Sequence, residues 1–101
     1  MNNINAAITA VHGKVPEKIL SNSDLEKMVD TSDEWIVTRT GIRERRIVEN
    51  GETLSDLGAE VVNQICEKRG ISPLVIDMII VGTVTSDHRF PSSSNLICHK
   101  S

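Results

Sequence analysis

The chain has 101 residues, 39% hydrophobic and 25% charged, and its 11 basic against 14 acidic side chains leave a net charge of −3. That length allows one small domain or part of one, and this composition excludes disorder, collagen-like repeats and coiled coil. The acidic balance argues against a nucleic-acid partner, and no apolar run approaches the ~20 residues that span a bilayer, the longest being Met78 to Val81. Cys66 and Cys98 have neither the count nor the spacing of a disulfide framework or a zinc site. The N-terminus lacks the basic flank and apolar run of a signal peptide, so a reducing cytoplasm is expected. Trp35 and Phe90 are the only aromatic residues, and with no Tyr beside them neither reads as redundant packing material.

Ile4 to Val11 is rich in Ala and β-branched residues and ends in His12-Gly13, which predicts a first strand closing in a turn. Pro16 keeps the following loop out of a helix. Ser23 with Glu26 and Thr31 with Glu34 are two capping signals, predicting short tandem helices over 23–30 and 32–39. Gly41 closes the second. Residues 42–48 alternate weakly as an extended segment before the Asn50-Gly51 turn. Leu54, Leu57, Val61, Ile65 and Cys66 then recur at helical spacing, predicting an amphipathic helix over 53–69 capped by Thr53, with Asp56 near its positive end and Gly70 as its stop. Met78 to Val84 is a nearly continuous apolar run, as expected of a strand buried on both faces of an α/β sheet. After Phe90-Pro91 and three serines, Asn95 to Ser101 begins a helical pattern that stops without a cap.

Few residues could carry chemistry. Trp35 and Arg39 lie four apart on one helical face, where an indole could stack a purine and a guanidinium could pair with a phosphate. The same spacing also suits a Trp anchoring a small core with Arg39 stacked on its edge, and spacing does not choose between them. Arg39, Arg43, Arg45 and Arg46 form the one basic cluster, read as a solvated face. Asp33 and Glu34 are neighbours that do not face each other and serve the helix dipole better than acid–base chemistry. Cys98-His99 fails as a nucleophile and base because adjacent side chains diverge, and Cys98 is expected to be a buried thiol beside a surface His. His12 and His88 have no partner at metal-ligand spacing, and no phosphate-loop or nucleophile-elbow pattern is present.

The stretch from Asn22 to Ile47, with TSDEWIVTRTGIRER at its core, closely resembles the signature opening of the β-ketoacyl-acyl-carrier-protein synthase III family of condensing enzymes. The IIVGTVTSD and FPSSS segments agree with it in order, so the resemblance covers essentially the whole chain. It implies an incomplete α/β chain, the N-terminal part of a thiolase-like fold with a mixed sheet and packing helices, with residues 1–101 forming one partial domain. It also implies an enzyme that takes an acyl group from acyl-CoA onto a cysteine and condenses it with malonyl-acyl-carrier protein as carbon dioxide leaves. By resemblance, Trp35 stacks on the CoA adenine, Arg39 helps hold its phosphate end and Thr31 hydrogen-bonds the adenine. Phe90 corresponds to a residue lining the acyl pocket of the neighbouring subunit.

The resemblance implies no bound prosthetic group or metal, a CoA thioester as substrate, and acyl-carrier protein and a second copy of the chain as partners. The family's nucleophilic cysteine follows the FPS turn by about two dozen residues, and its His and Asn partners come later still. Cys98, eight residues after Phe90, does not take that place. The chain is therefore expected to be a catalytically inert fragment, prone to homodimerise or self-associate further through exposed apolar surface. The alternative is a free-standing, non-catalytic CoA-binding or interaction domain, against which the ending inside an apparent helix speaks. A different thiolase-fold enzyme, such as a hydroxymethylglutaryl-CoA or polyketide synthase, is disfavoured by the intact TSDEWI and RTGI segments.

Overall fold

The computed structural model describes residues 3–101, and its packing separates into two compact units, Val15–Glu52 and the residues up to Lys14 together with Thr53–Ser101. In the first, β1 (Lys18–Ser21) pairs antiparallel with β2 (Glu44–Ile47), with Lys18 opposite Ile47 and Ser21 opposite Glu44. Between them run α1 (Asn22–Glu26) and α2 (Asp33–Thr40). The extended segment expected over 42–48 is β2; its partner falls at Lys18–Ser21, in what reads from sequence as loop.

Asn22 organises this unit. Only 1% exposed, it donates from Nδ2 to Asp33 Oδ1 at 2.8 Å and to the Ile42 carbonyl at 2.7 Å, and its Oδ1 accepts from Arg45 Nη2 at 2.7 Å. Its backbone N–H also donates to the Arg43 carbonyl, extending the ladder by one bond. An amide buried this completely is stable only when its donors and acceptor are all answered, and here they are. Arg45 is half-buried and donates a further bond to the Leu20 carbonyl, while Arg46 donates to the Pro16 carbonyl. Two members of the basic cluster are thus structural ties, a correction to its reading as a solvated face. The two guanidinium groups bond to backbone carbonyls, one within β1 and one ahead of it.

The first helix starts earlier and ends sooner than expected. Ser21, not Ser23, is the N-cap, in a reciprocal capping box with Asp24, because the same three-residue spacing recurs two positions upstream. Glu26 instead accepts the first N–H of α2, from Asp33, at 2.6 Å. Gly41 ends α2 with φ 71°, the left-handed conformation that a residue without Cβ adopts at no steric cost.

In the second unit, α3 (Leu54–Arg69) is followed by a single 3₁₀ turn (Pro73–Val75) and α4 (Ser93–Lys100). Thr53 caps α3 in a capping box with Asp56, and Gly70 closes it at φ 66°. The buried side of α3 presents Ala59 and Cys66 to a small core with Ile97 of α4. Gly58 permits this approach: a Cβ there would overlap Ile97 Cδ1 and lie 2.9 Å from its Cγ1. The N-terminal segment is tied to α3 by Lys68 Nζ donating to the Val11 carbonyl at 2.9 Å and by a Lys14–Glu60 ion pair at 3.2 Å.

Two expected strands are not formed. Residues 4–11 and 78–84 join no ladder, and Ile4, Ile8, Met78, Ile80 and Val84 are all exposed, Val84 fully so. A strand is defined by its neighbour, and among the described residues only β1 and β2 have one.

Candidate functional site

The region around Trp35 is built from the start of α2. Ser32 is its N-cap and accepts the Trp35 N–H at 3.1 Å, so the expected cap, Thr31, lies one residue outside the helix and is half-buried. Both residues offer a hydroxyl at the correct spacing; the backbone at Ser32 is extended (φ −138°, ψ 154°), as an N-cap requires. Thr31 is thereby relieved of capping.

Trp35 is 54% exposed, so it does not anchor the core; Ile36, one position round the helix, does. The Arg39 guanidinium carbon sits 4.7 Å from the indole centroid, a cation stacked on the ring face. Two grooves flank the ring. One, of ≈ 340 Å³, is lined by Asp30, Thr31, Ser32 and Trp35. The other, of ≈ 350 Å³, is lined by Ser32, Glu34, Trp35, Thr38 and Arg39. The structure therefore brings Thr31, Trp35 and Arg39 together around one aromatic surface open to solvent. This arrangement can take a flat aromatic group against the indole and an anionic group beside the guanidinium.

Phe90 lies in the second unit, 90% exposed, before a cis Phe90–Pro91 peptide. Neither aromatic residue of the chain is spent on packing. Cys66 is buried on α3, but Cys98 is exposed, contrary to expectation: Ile97 takes the inward position on α4, and the next residue turns about 100° away. A cavity of ≈ 380 Å³ in the helical unit is lined by Val62, Leu74, Met78, Asn95 and Cys98 among others, and contains none of the residues expected to bind. Volume alone does not mark a site, and the grooves at Trp35 carry the aromatic face and the cation. Among the described residues no group of His, Cys, Asp and Glu is arranged to hold a metal ion, and no helix is long and apolar enough to cross a membrane.

A polar cluster at the start of α3 escaped the sequence reading. Asp87 Oδ1 accepts the Ser55 N–H at 3.2 Å, Asp87 Oδ2 accepts the Ser55 hydroxyl, and Lys100 Nζ donates to Ser55 Oγ at 2.6 Å and to Asp56 Oδ1 at 2.8 Å. The hydroxyl of Ser55 holds Asp87 below the usual carboxylate range, with the Ser55 N–H adding to it; Lys100 and then Thr53 do the same for Asp56. The partners are 32 and 45 residues apart, and no local pattern announces them.

Comparison with known proteins identifies the fold and the sequence. The β-ketoacyl-[acyl-carrier-protein] synthase III of Porphyromonas gingivalis is 48% identical over 99% of the chain, and that of Chlamydia caviae is 56% identical over 90%. The crystal structure of β-ketoacyl-[acyl-carrier-protein] synthase III from Thermus thermophilus superposes on 94% of the chain with a TM-score of 0.85 at 40% identity. In sequence and in fold the chain matches part of β-ketoacyl-[acyl-carrier-protein] synthase III. It spans 30% of the length of the Porphyromonas synthase, 27% of the Chlamydia synthase and 30% of the Thermus structure. Its α/β fold is the corresponding part of the synthase III thiolase-like fold. No protein-family model matches the chain.

Proposed function

We propose that the chain supplies a CoA-recognition surface to a synthase that transfers an acyl group from acyl-CoA and condenses it with malonyl-acyl-carrier protein, the step that begins fatty-acid synthesis. The observation that carries this reading is the half-exposed indole of Trp35 with the Arg39 guanidinium over it and Thr31 at its edge. An adenine stacks on the indole, the Thr31 hydroxyl bonds to the base edge, and Arg39 turns towards a CoA phosphate. Stacking a base on an aromatic side chain contributes about 1–3 kcal/mol, so Trp35 is the main anchor and Arg39 the second. Phe90 lines the acyl pocket of a second copy of the chain.

The reaction needs a thiolate that can reach the thioester, and neither cysteine fits. Cys66 is 2% exposed, and Cys98 is flanked by His99, whose side chain diverges from it on the helix. In this reading the 101 residues bind substrate without carrying the nucleophile.

Trp35 is the only tryptophan, so its fluorescence reports the site directly. Titration with CoA is expected to give saturable quenching, weakened about tenfold in Arg39→Ala and less with dephospho-CoA in place of CoA, a tenfold change being about 1.4 kcal/mol. Calorimetry is expected to show loss of binding in Trp35→Ala. Unchanged emission at millimolar CoA would overturn the assignment, and radiolabelled acetyl transferred from acetyl-CoA onto the chain would overturn the absence of a nucleophile.

A further inference from the structure

The loop that carries Phe90 belongs to no helix and no ladder, yet it is fastened on both sides of the ring. Three residues before Phe90, both oxygens of Asp87 engage Ser55, one on its N–H and one on its hydroxyl. Two residues after it, Ser92 caps α4 and accepts the Asn95 N–H at 3.3 Å. Ser55 is wholly buried and takes a third bond from Lys100 at 2.6 Å, so the clamp joins the loop, α3 and α4 at one hydroxyl. The capping box of Thr53 and Asp56 on α3 leaves the Ser55 N–H open; Asp87 answers it from outside the helix, and its second bond, to the Ser55 hydroxyl, goes beyond capping. A carboxylate held by two bonds to one buried residue fixes both the distance and the direction of the chain that bears it.

We propose that Asp87 is a positioning residue for Phe90: by clamping Ser55 it fixes the direction in which the loop presents the aromatic ring. It acts through the backbone of residues 87–90 and does not itself touch an acyl group. The inference rests on the reading of Phe90 as a pocket residue for its importance, though not for its geometry. The charged groups facing the clamp are Lys100 from α4 and Asp56 from α3. Because Asp87 titrates below the usual carboxylate range, the clamp is intact at neutral pH and opens only in acid, as the carboxylate takes up a proton.

The chain has a single phenylalanine, so incorporation of 4-fluorophenylalanine places one fluorine label at position 90. The wild-type chain is expected to give one ¹⁹F line displaced from that of free fluorophenylalanine. Asp87→Ala and Ser55→Ala are both expected to move it towards the free position and change its width, with Asp87→Asn in between because its amide keeps one acceptor. Acid titration of the unsubstituted chain is expected to reproduce the Asp87→Ala position while far-UV circular dichroism still reports α3 and α4, a readout that needs no variant to fold. A line that stays at the wild-type position in Asp87→Ala, or through the acid titration, overturns the proposal. Addition of butyryl-CoA reads the pocket assignment separately: a ¹⁹F line that responds to Asp87 but not to this thioester removes Phe90 from the pocket and leaves the clamp standing.

Discussion

The unit from Val15 to Glu52 and the helical unit built on α3 and α4 reach order by opposite means. The first buries little apolar surface beyond Ile36 and is organised by the fully bonded amide of Asn22, which ties α1, α2 and β2 by side-chain bonds. The second is organised mainly by close approach of two helices, Gly58 against Ile97, with the Ser55 clamp at the start of α3, and leaves a long apolar segment, Met78 to Val84, largely uncovered. The difference is one of specificity. A hydrogen-bonded hub admits one arrangement because each unmet bond is costly, whereas a two-helix contact holds position mainly through shape. The surface proposed to recognise CoA lies on the unit with the hub.

The comparison can be broken most forcefully at Asn22. Asn22→Leu removes three side-chain bonds, two of them to charged groups, and is expected to cost about 4 kcal/mol, read as loss of the urea transition followed by Trp35 emission. Survival of that transition would show that the hub is ornamental. Ile97→Ala tests the helical unit and is expected to cost about 2–3 kcal/mol, measured by thermal circular dichroism. An equal effect of the two changes on both probes would erase the distinction. Ser32→Ala, which removes the cap of α2, is expected to cost about 1 kcal/mol.

Acid loads the two units differently. Asp24 is held below the usual carboxylate range by the Ser21 N–H and then its hydroxyl, and Asp56 and Asp87 by Lys100 and Ser55 first. A carboxylate whose pKa falls on folding stabilises the native state above its unfolded value, near ~4, and that stability is lost as pH drops through the folded value. The helical unit, with two such groups, is expected to weaken more below about pH 4 than the unit with one, and Asp56→Asn is expected to flatten that response in chemical denaturation at stepped pH. The smallest effect is expected at Ser93, whose buried hydroxyl has no partner among the described residues: Ser93→Ala is expected to leave stability within about 0.5 kcal/mol or raise it.

What was legible in the sequence was local. The Thr53 cap, the helical spacing of α3 and the glycines at 41 and 70 act within a few residues and appear where the pattern puts them. So does the face shared by Trp35 and Arg39, although only the structure shows that face turned outward. What was not legible depends on distant partners. Apolar runs at 4–11 and 78–84 have the composition of strands without a ladder neighbour, while Lys18–Ser21, behind a proline, becomes one because Glu44–Ile47 lies opposite. Arg45 reads as part of a solvated basic face and no local pattern singles out Asn22 or Asp87, because their importance comes from bonds across 11 to 32 residues of chain. Cys98 was misplaced because eight residues of helix are too few for periodicity to fix which side faces inward.

The neighbouring hydroxyls at 31 and 32 divide two duties across a single peptide bond. Ser32 holds the helix, and Thr31 stands beside the indole with no part in holding it. Evolution or an engineer can therefore retune what this surface accepts at one position without disturbing its scaffold at the next. A matched pair of alanine variants separates the grip on a ligand from the integrity of the support.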